Sequence, residues 1–179
     1  MKEFGAIIKL EGMEFHIPEE IINIVKGERN GWICAYYDFD RGILNWKIIE
    51  NKVDIKEATA FLITGEMGDP LEALIRYKNT VKKKQEKLEQ ILVSLEMKGL
   101  EDFLDEFHTE LLMEYDCMSE EIIWLDKIIR ALSSNVEEVE GFFKIIRRES
   151  YEVLILEEVR AVMMLNLDFL RKLITEPRE

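Results

Sequence analysis

Cysteine is scarce in this sequence. Cys34 and Cys117 are the only two among 179 residues, too few for a disulfide framework and too isolated for a zinc motif. A chain without disulfides suits a reducing compartment. We therefore expect a cytoplasmic protein in which both thiols are buried.

Long apolar runs are also missing. No stretch reaches the roughly 18 uninterrupted apolar residues that span a bilayer. The sequence begins MKEFG, without the basic segment and apolar run of a secretory signal. These absences predict a protein that is neither secreted nor integral to a membrane, and we expect no membrane partner.

Recognisable catalytic motifs do not occur. The sequence contains no glycine-rich phosphate loop, no G-x-S-x-G elbow and no H-E-x-x-H pair. The two carboxylates of DFDRG, Asp38 and Asp40, suit a hairpin turn better than a magnesium site. We therefore predict no catalytic residues and no cofactor, and an enzyme is not the favoured interpretation.

Positive charge is in deficit. Lysine and arginine number 24 against 37 aspartates and glutamates, a net charge of -13, which disfavours nonspecific binding to nucleic acid or to anionic membranes. Residues 98–140 hold thirteen acidic and three basic residues, a net of -10. Solvated helix faces explain such a run. The alternative is an acidic docking surface for a basic protein partner, with Glu110 and Glu114 as candidate residues.

Glutamine is nearly absent, with only Gln85 and Gln90 in the chain. Lysine and glutamate are abundant by comparison. This bias accompanies growth at high temperature in whole proteomes, so the composition hints at a thermophilic source.

Apolar residues recur at every second position in the first part of the chain. Phe4, Ala6, Ile8 and Leu10 alternate with other residues, and Met13, Phe15 and Ile17 do so after the EG turn, which predicts a β-hairpin. A helix follows from Pro18 to about Lys26. WICAYYDF and ILNWKII then predict a second hairpin. Residues 1–52 are thus predicted to form a ββαββ module.

The segment KLEGMEFHIPEEIINIVKGERNGW resembles the repeat of the swapped-hairpin SpoVT-AbrB family. The matching residues are Ile17 and Pro18 at the end of a strand, Gly27 after a short helix, and Gly31 four residues later. The resemblance implies an intertwined dimer, often one that binds DNA through basic residues. In this chain Glu19 follows the proline, and Ile22 stands where the family commonly has arginine.

From Asp54 onward the apolar spacing becomes helical. Asp54 suits a helix N-cap and Gly65 a helix end. A long helix is predicted from Pro70 to about Lys98, because Leu74, Val81, Leu88 and Leu95 recur every seven residues. Further helices are predicted over residues 100–115, 120–132 and 136–148. The expected fold class is α+β: the ββαββ module followed by a C-terminal helical bundle of about five helices, residues 53–179.

The last predicted helix runs from about Ser150 to Ile174. Between Val153 and Leu165 it is apolar on nearly every side, which is typical of a helix buried in a bundle or in a subunit interface. Met163 and Met164 are therefore candidate interaction residues. Asn166 falls inside the apolar stripe and needs a hydrogen-bond partner in the core or across a subunit boundary.

The segment DEFHTELLMEYDC raises the question of a metal site. Asp105 and His108 have the i, i+3 spacing that di-iron bundles use twice, but a second such pair is missing. Two ligands do not fill a coordination sphere, so other helices would have to supply the rest. The favoured interpretation is the solvated edge of a helix whose buried stripe contains Leu100, Phe103, Leu104, Phe107, Leu111 and Tyr115.

These patterns leave the biochemical activity open. The favoured hypothesis is a non-catalytic cytoplasmic interaction or regulatory protein that self-associates as a homo-oligomer through the first module, the last helix, or both. One alternative is a DNA-binding transcription regulator of the swapped-hairpin type. Another is a helical metal-dependent enzyme.

Overall fold

The protein has an α+β fold with thirteen secondary-structure elements in the described residues. In a computed structural model, residues 5–27 and 29–175 are described, so the predicted strand position Phe4 lies outside them. The elements divide between two compact units, one made of the residues up to Pro70 together with those from Ser134 onward, the other of Leu71–Ser133. Each unit is described separately.

The first unit begins with the predicted hairpin. β1 (Ala6–Leu10) pairs antiparallel with β2 (Met13–Ile17), and Ile8 lies opposite Phe15. Gly12, with φ at 81°, supplies the left-handed backbone that the tight turn requires. Pro18 precedes α1 (Glu19–Val25), and two glutamates occupy the positive end of this helix. The alternation of apolar residues in the sequence therefore indicated the correct pairing.

Six antiparallel strands form the main sheet of the first unit. The strands are β3 (Trp32–Asp38), β4 (Gly42–Ile49), β5 (Glu138–Val139), β6 (Phe143–Arg147), β7 (Tyr151–Leu156) and β8 (Arg160–Asn166). Their spatial order is β4-β3-β8-β7-β6-β5. Strands from the two ends of the chain meet at the centre, where Trp32 lies opposite Asn166 and Asp38 opposite Arg160.

Both faces of this sheet are covered. On one face, alternate residues of β3 and β8, among them Tyr37 and Met163, share a core with β1, β2, α1 and α5 (Leu167–Thr175). The residues that alternate with them along β3 and β8 point to the other face. There α2 (Ile55–Thr64) contacts β3, β4, β7 and β8. Asp54 caps α2 and Gly65 ends it with φ at 77°, as the sequence predicted.

The second unit is a pair of long helices. It contains α3 (Pro70–Met97) and α4 (Asp105–Ser133), joined by a turn at Gly99. At 1.5 Å per residue, the 28 residues of α3 extend about 42 Å. Leu88, Leu92 and Leu111 form a small core between the two helices. None of the helices in the described part of the chain is both long and apolar enough to cross a membrane.

The predicted fold, a ββαββ module followed by a C-terminal helical bundle, is wrong. β1 and β2 form a separate two-stranded sheet, whereas β3 and β4 belong to one sheet with strands from the C-terminal part. The long helices lie in the middle of the chain, and the C-terminal part contains four strands of the six-stranded sheet. Residues 136–148, predicted as a helix, contain β5 and β6, and the predicted helix over 150–174 is β7, β8 and the short α5. The physical reason is that β7 and β8 are buried on both faces of the sheet. The sequence of a strand covered on both faces is a continuous apolar run, and so is the sequence of a buried helix, so the pattern does not distinguish them.

Candidate interaction site

The contacts between α3 and α4 define two flanks of the hairpin. On one flank the hydroxyl of Tyr77 donates a hydrogen bond of 2.9 Å to Oε1 of Glu121. Burial and the neighbouring carboxylate raise the pKa of Tyr77 to about 12. On the other flank, Gln85 donates to the hydroxyl of Ser119 at 2.5 Å. These cross-helix bonds fix the register of the two helices.

Apolar side chains are exposed near the turn on the same flank as Tyr77 and Glu121. Ile91 follows Tyr77 by fourteen residues and Phe107 precedes Glu121 by fourteen, so each lies two heptads nearer the turn on the same side of its helix. Phe103 lies four residues before Phe107, in the turn that precedes α4. The exposed fractions are 47% for Ile91, 83% for Phe103 and 48% for Phe107. These three residues are called the turn patch below.

The sequence predicted Phe103 and Phe107 as part of the buried stripe of a helix over residues 100–115, but the helix begins only at Asp105. The remaining members of that stripe are buried or half-buried, but Phe103 is mostly in solvent. A helical wheel identifies the apolar side of a helix without telling how many neighbours cover it. In the second unit a single neighbouring helix covers only the centre of a wide stripe, which leaves the edge uncovered.

Charge differs between the two helices. α3 carries six basic and four acidic residues, whereas α4 carries two basic and eight acidic residues. Lys84 lies midway between Tyr77 and Ile91 on the flank of the turn patch, and Glu114 lies midway between Phe107 and Glu121. Both are exposed. The flank thus combines an apolar end with a basic α3 side and an acidic α4 side.

The predicted acidic surface and the predicted metal ligands lie on α4. Glu110 and Glu114 are exposed, as is Asp105, the first residue of the helix. His108 approaches Glu96 of α3, with 3.6 Å between its Nε2 atom and Oε1, which is longer than a hydrogen bond. In residues 5–27 and 29–175 no group of three or more histidine, cysteine, aspartate or glutamate side chains is arranged to hold a metal ion.

The other predicted interaction residues lie in the first unit. Met163 and Met164 are fully buried on opposite faces of the central strand β8, so neither side chain reaches the surface of the folded chain. Asn166 ends β8, and its Oδ1 atom accepts a hydrogen bond of 3.1 Å from the backbone N–H of Phe169. The amide therefore finds its partner at the start of α5, within the same chain.

A buried carboxylate network ties α2 to the sheet of the first unit. Glu152 on β7 is 6% exposed. It accepts a hydrogen bond from the backbone N–H of Ile55 at 3.1 Å and pairs with Lys52 at 3.2 Å. Arg147 lies 3.2 Å from the same carboxylate and 2.6 Å from Asp54. Every charged group of this network is paired with another side chain or with the backbone of the same unit, which indicates a structural role.

A second buried ion pair lies at the β3–β4 turn. Oδ1 of Asp38 accepts hydrogen bonds from the backbone N–H groups of Asp40 and Arg41, at 2.8 and 3.1 Å. Its Oδ2 atom lies 3.4 Å from Arg160, which also donates to the hydroxyl of Tyr36 at 2.7 Å. The prediction that the carboxylates of DFDRG serve a turn is confirmed for Asp38.

The two cysteines differ in environment. Cys34 is buried in β3, as predicted, and burial raises the pKa of its thiol to about 12. Cys117 is exposed on α4, so the prediction that it is buried is wrong. The raised pKa of Cys34 is the opposite of the lowered value that marks a reactive nucleophile.

Comparisons with known proteins add no assignment. No model of a protein family, no curated protein and no solved structure matches this chain. The swapped-hairpin resemblance of residues 9–32 therefore stays a prediction. What can be proposed about function rests on the geometry of the chain itself.

Proposed function

We propose that this protein is a non-catalytic interaction protein that self-associates through its helical hairpin. The observation that carries the proposal is the turn patch, an aromatic and aliphatic surface left open along one flank of a two-helix unit. Exposed apolar clusters of this kind mark interaction surfaces. Two amphipathic helices bury their stripes fully when a second pair completes a four-helix bundle.

Charge complementarity selects the occupant of this flank as a second copy of the chain. If two hairpins lie side by side with their turns at the same end, a two-fold axis parallel to the helices places α3 of one copy against α4 of the other. Ile91 then meets Phe107 of the second copy, and Lys84 meets Glu114. The opposite stacking, α3 on α3, would bring lysine against lysine.

The size of the flank suits a stable dimer. A hairpin about 42 Å long, with two helices about 10 Å apart, presents a face of about 800 Å² per copy. This is the contribution of each partner in a protein interface of standard size. In such an interface the turn patch buries the apolar end of the flank, and the charged positions Lys84 and Glu114 lie farther from the turn.

The first test is the solution mass by light scattering. Phe103→Ser with Phe107→Ser should convert a dimer to a monomer, because the substitutions replace the aromatic rings of the turn patch with polar groups. The matched control is Val136→Ser, which removes a similarly exposed apolar side chain from the first unit and should leave the dimer intact. A monomeric wild-type chain at about 100 μM would end the proposal.

The second test distinguishes the two stackings. Lys84→Glu gives a copy with two acidic positions on the flank, and Glu114→Lys gives a copy with two basic positions. Each variant alone should be monomeric, because like charges would face each other in its dimer. An equimolar mixture should form heterodimers, seen by native mass spectrometry, because both intermolecular pairs become attractive. Absence of heterodimers, with helix content by circular dichroism unchanged, would contradict the α3-on-α4 arrangement.

A further inference from the structure

A groove in the first unit has an apolar floor and an acidic rim. Its volume is about 580 Å³, and it lies between the β1–β2 turn, the β5–β6 turn and the β7–β8 turn. Met13, Ile146 and Ile155 contribute apolar surface, and Val139 does so from the edge strand β5. A cavity of this size accommodates one or two side chains of a ligand.

Carboxylates dominate the rim. Five glutamates line the groove against a single lysine, Lys144. Glu11 is partly neutralised, because its carboxylate lies 3.1 Å from Arg148 and accepts a hydrogen bond of 2.5 Å from Tyr151. The other four rim glutamates are Glu138, Glu140, Glu157 and Glu158. The rim therefore carries a strong negative charge beside an apolar floor.

The backbone of the rim is unusual. In the described part of the chain, the residues other than glycine with a positive φ are Glu11 at 50°, Glu157 at 51° and Glu158 at 58°. All three line the groove. Glycine, asparagine and aspartate adopt the left-handed region most readily, and it costs other residues about 1 kcal/mol each. Glutamate occupies these positions although smaller residues would fit the backbone better.

We propose that this groove binds an extended basic peptide segment of a partner protein, with an apolar side chain on the floor and flanking lysines or arginines against the rim glutamates. Charge complementarity carries the choice of occupant, because the rim would repel an acidic segment or an anionic surface. The short edge strand β5 also presents backbone groups beside the groove, which suits an extended chain. This proposal concerns the first unit and is independent of self-association through the hairpin.

The probe for the test is a labelled six-residue peptide of the pattern Lys-Val-Lys-Leu-Arg-Lys, with binding followed by fluorescence anisotropy at physiological ionic strength. The full chain should bind it, whereas a counterpart with glutamate at the basic positions should not bind. The substitutions Glu138→Gln, Glu140→Gln and Glu158→Gln, combined in one variant, should weaken binding by about tenfold or more, because three attractive pairs are lost.

A matched variant separates a local site from general charge attraction. Glu20→Gln, Glu50→Gln and Glu149→Gln together change the net charge by the same amount at exposed positions away from the groove, and should leave the affinity within about twofold. An equal loss in both triple variants would overturn the proposal, because attraction would then depend on total charge alone.

The apolar floor has its own test. Val139→Ser should weaken binding by a few fold, because Val139 lines the groove, whereas Val136→Ser should not, although Val136 is the more exposed of the two. Unchanged binding in Val139→Ser together with unchanged binding in the first triple variant would place the peptide elsewhere. No binding of the peptide to the wild-type chain would also overturn the proposal.

Discussion

Arg147 and Glu152 face each other across neighbouring strands of the sheet. They are opposite residues in the register of β6 and β7, and Nη1 of the arginine lies 3.2 Å from Oε1 of the glutamate. The same carboxylate receives the backbone N–H of Ile55 and the ammonium group of Lys52. One buried side chain therefore connects the sheet, the start of α2 and the segment before it.

Glu152→Gln should destabilise the first unit. The substitution removes the negative charge from a buried site, so that Lys52 loses its carboxylate partner and Arg147 keeps only Asp54 and Glu137. We expect the free energy of unfolding in urea to fall by about 2–4 kcal/mol. Glu149→Gln, at an exposed position nearby, is the control and should change it by less than about 0.5 kcal/mol. Equal stability of the Glu152 variant and the wild type would contradict this account.

The two thiols should react at very different rates. At about pH 8 the exposed Cys117 should be modified at once by a thiol reagent, while Cys34 should resist, since it is buried and its raised pKa keeps it protonated. Titration should therefore detect one thiol in the native protein and two in concentrated guanidinium chloride. Cys117→Ser should abolish the fast phase, and a fast phase that persisted would place Cys34 at the surface.

Burial of Cys34 also predicts an alkaline loss of stability. Its pKa is raised from 9.0 to about 12 in the folded chain, so the unfolded state releases its proton first as pH rises. The contribution of this thiol to the free energy of unfolding is fully present below about pH 9 and is lost progressively between about pH 9 and pH 12. Unfolding free energies measured over this range should decline less steeply for Cys34→Ala than for the wild type. Parallel declines would exclude this contribution.

Asn166 should matter as a helix cap. Asn166→Ala removes the acceptor of the Phe169 N–H at the start of α5 and should lower the free energy of unfolding by about 1 kcal/mol. Asn166→Asp keeps an acceptor oxygen and should restore most of the loss. If self-association required this amide, the solution mass would change in the alanine variant. We expect it to stay the same, because the amide bonds within its own chain.

The first half of the fold followed from the sequence because its signals are local. The period of two in β1 and β2, Pro18 before α1, and Asp54 and Gly65 around α2 each act within a few residues. The structure places the corresponding elements where those residues predict them. The long α3 could be predicted equally well, since its heptad spacing is regular and Pro70 marks its start.

The second half could not be predicted because its decisive turn has no turn residues. Glu157, Glu158 and Val159 separate β7 from β8 without glycine, proline or asparagine, so the apolar residues on either side have the pattern of one continuous helix. The groove was missed for the same reason, since it is lined by the turns between these strands. The exposure of Glu110 and Glu114 could be predicted from their charge alone, but the exposure of Phe103 depends on how many helices surround it.

The central pairing of β3 with β8 has a consequence for synthesis of the chain. Asp38 and its partner Arg160 are separated by 122 positions, and translation at roughly 5–20 residues per second needs about ten seconds to cover them. During that time one edge of β3 stays open, while the helices of the second unit complete their local contacts. A newly made chain thus offers an unpaired strand to its neighbours on the same messenger RNA, and a holding chaperone or fast release from the ribosome would protect it.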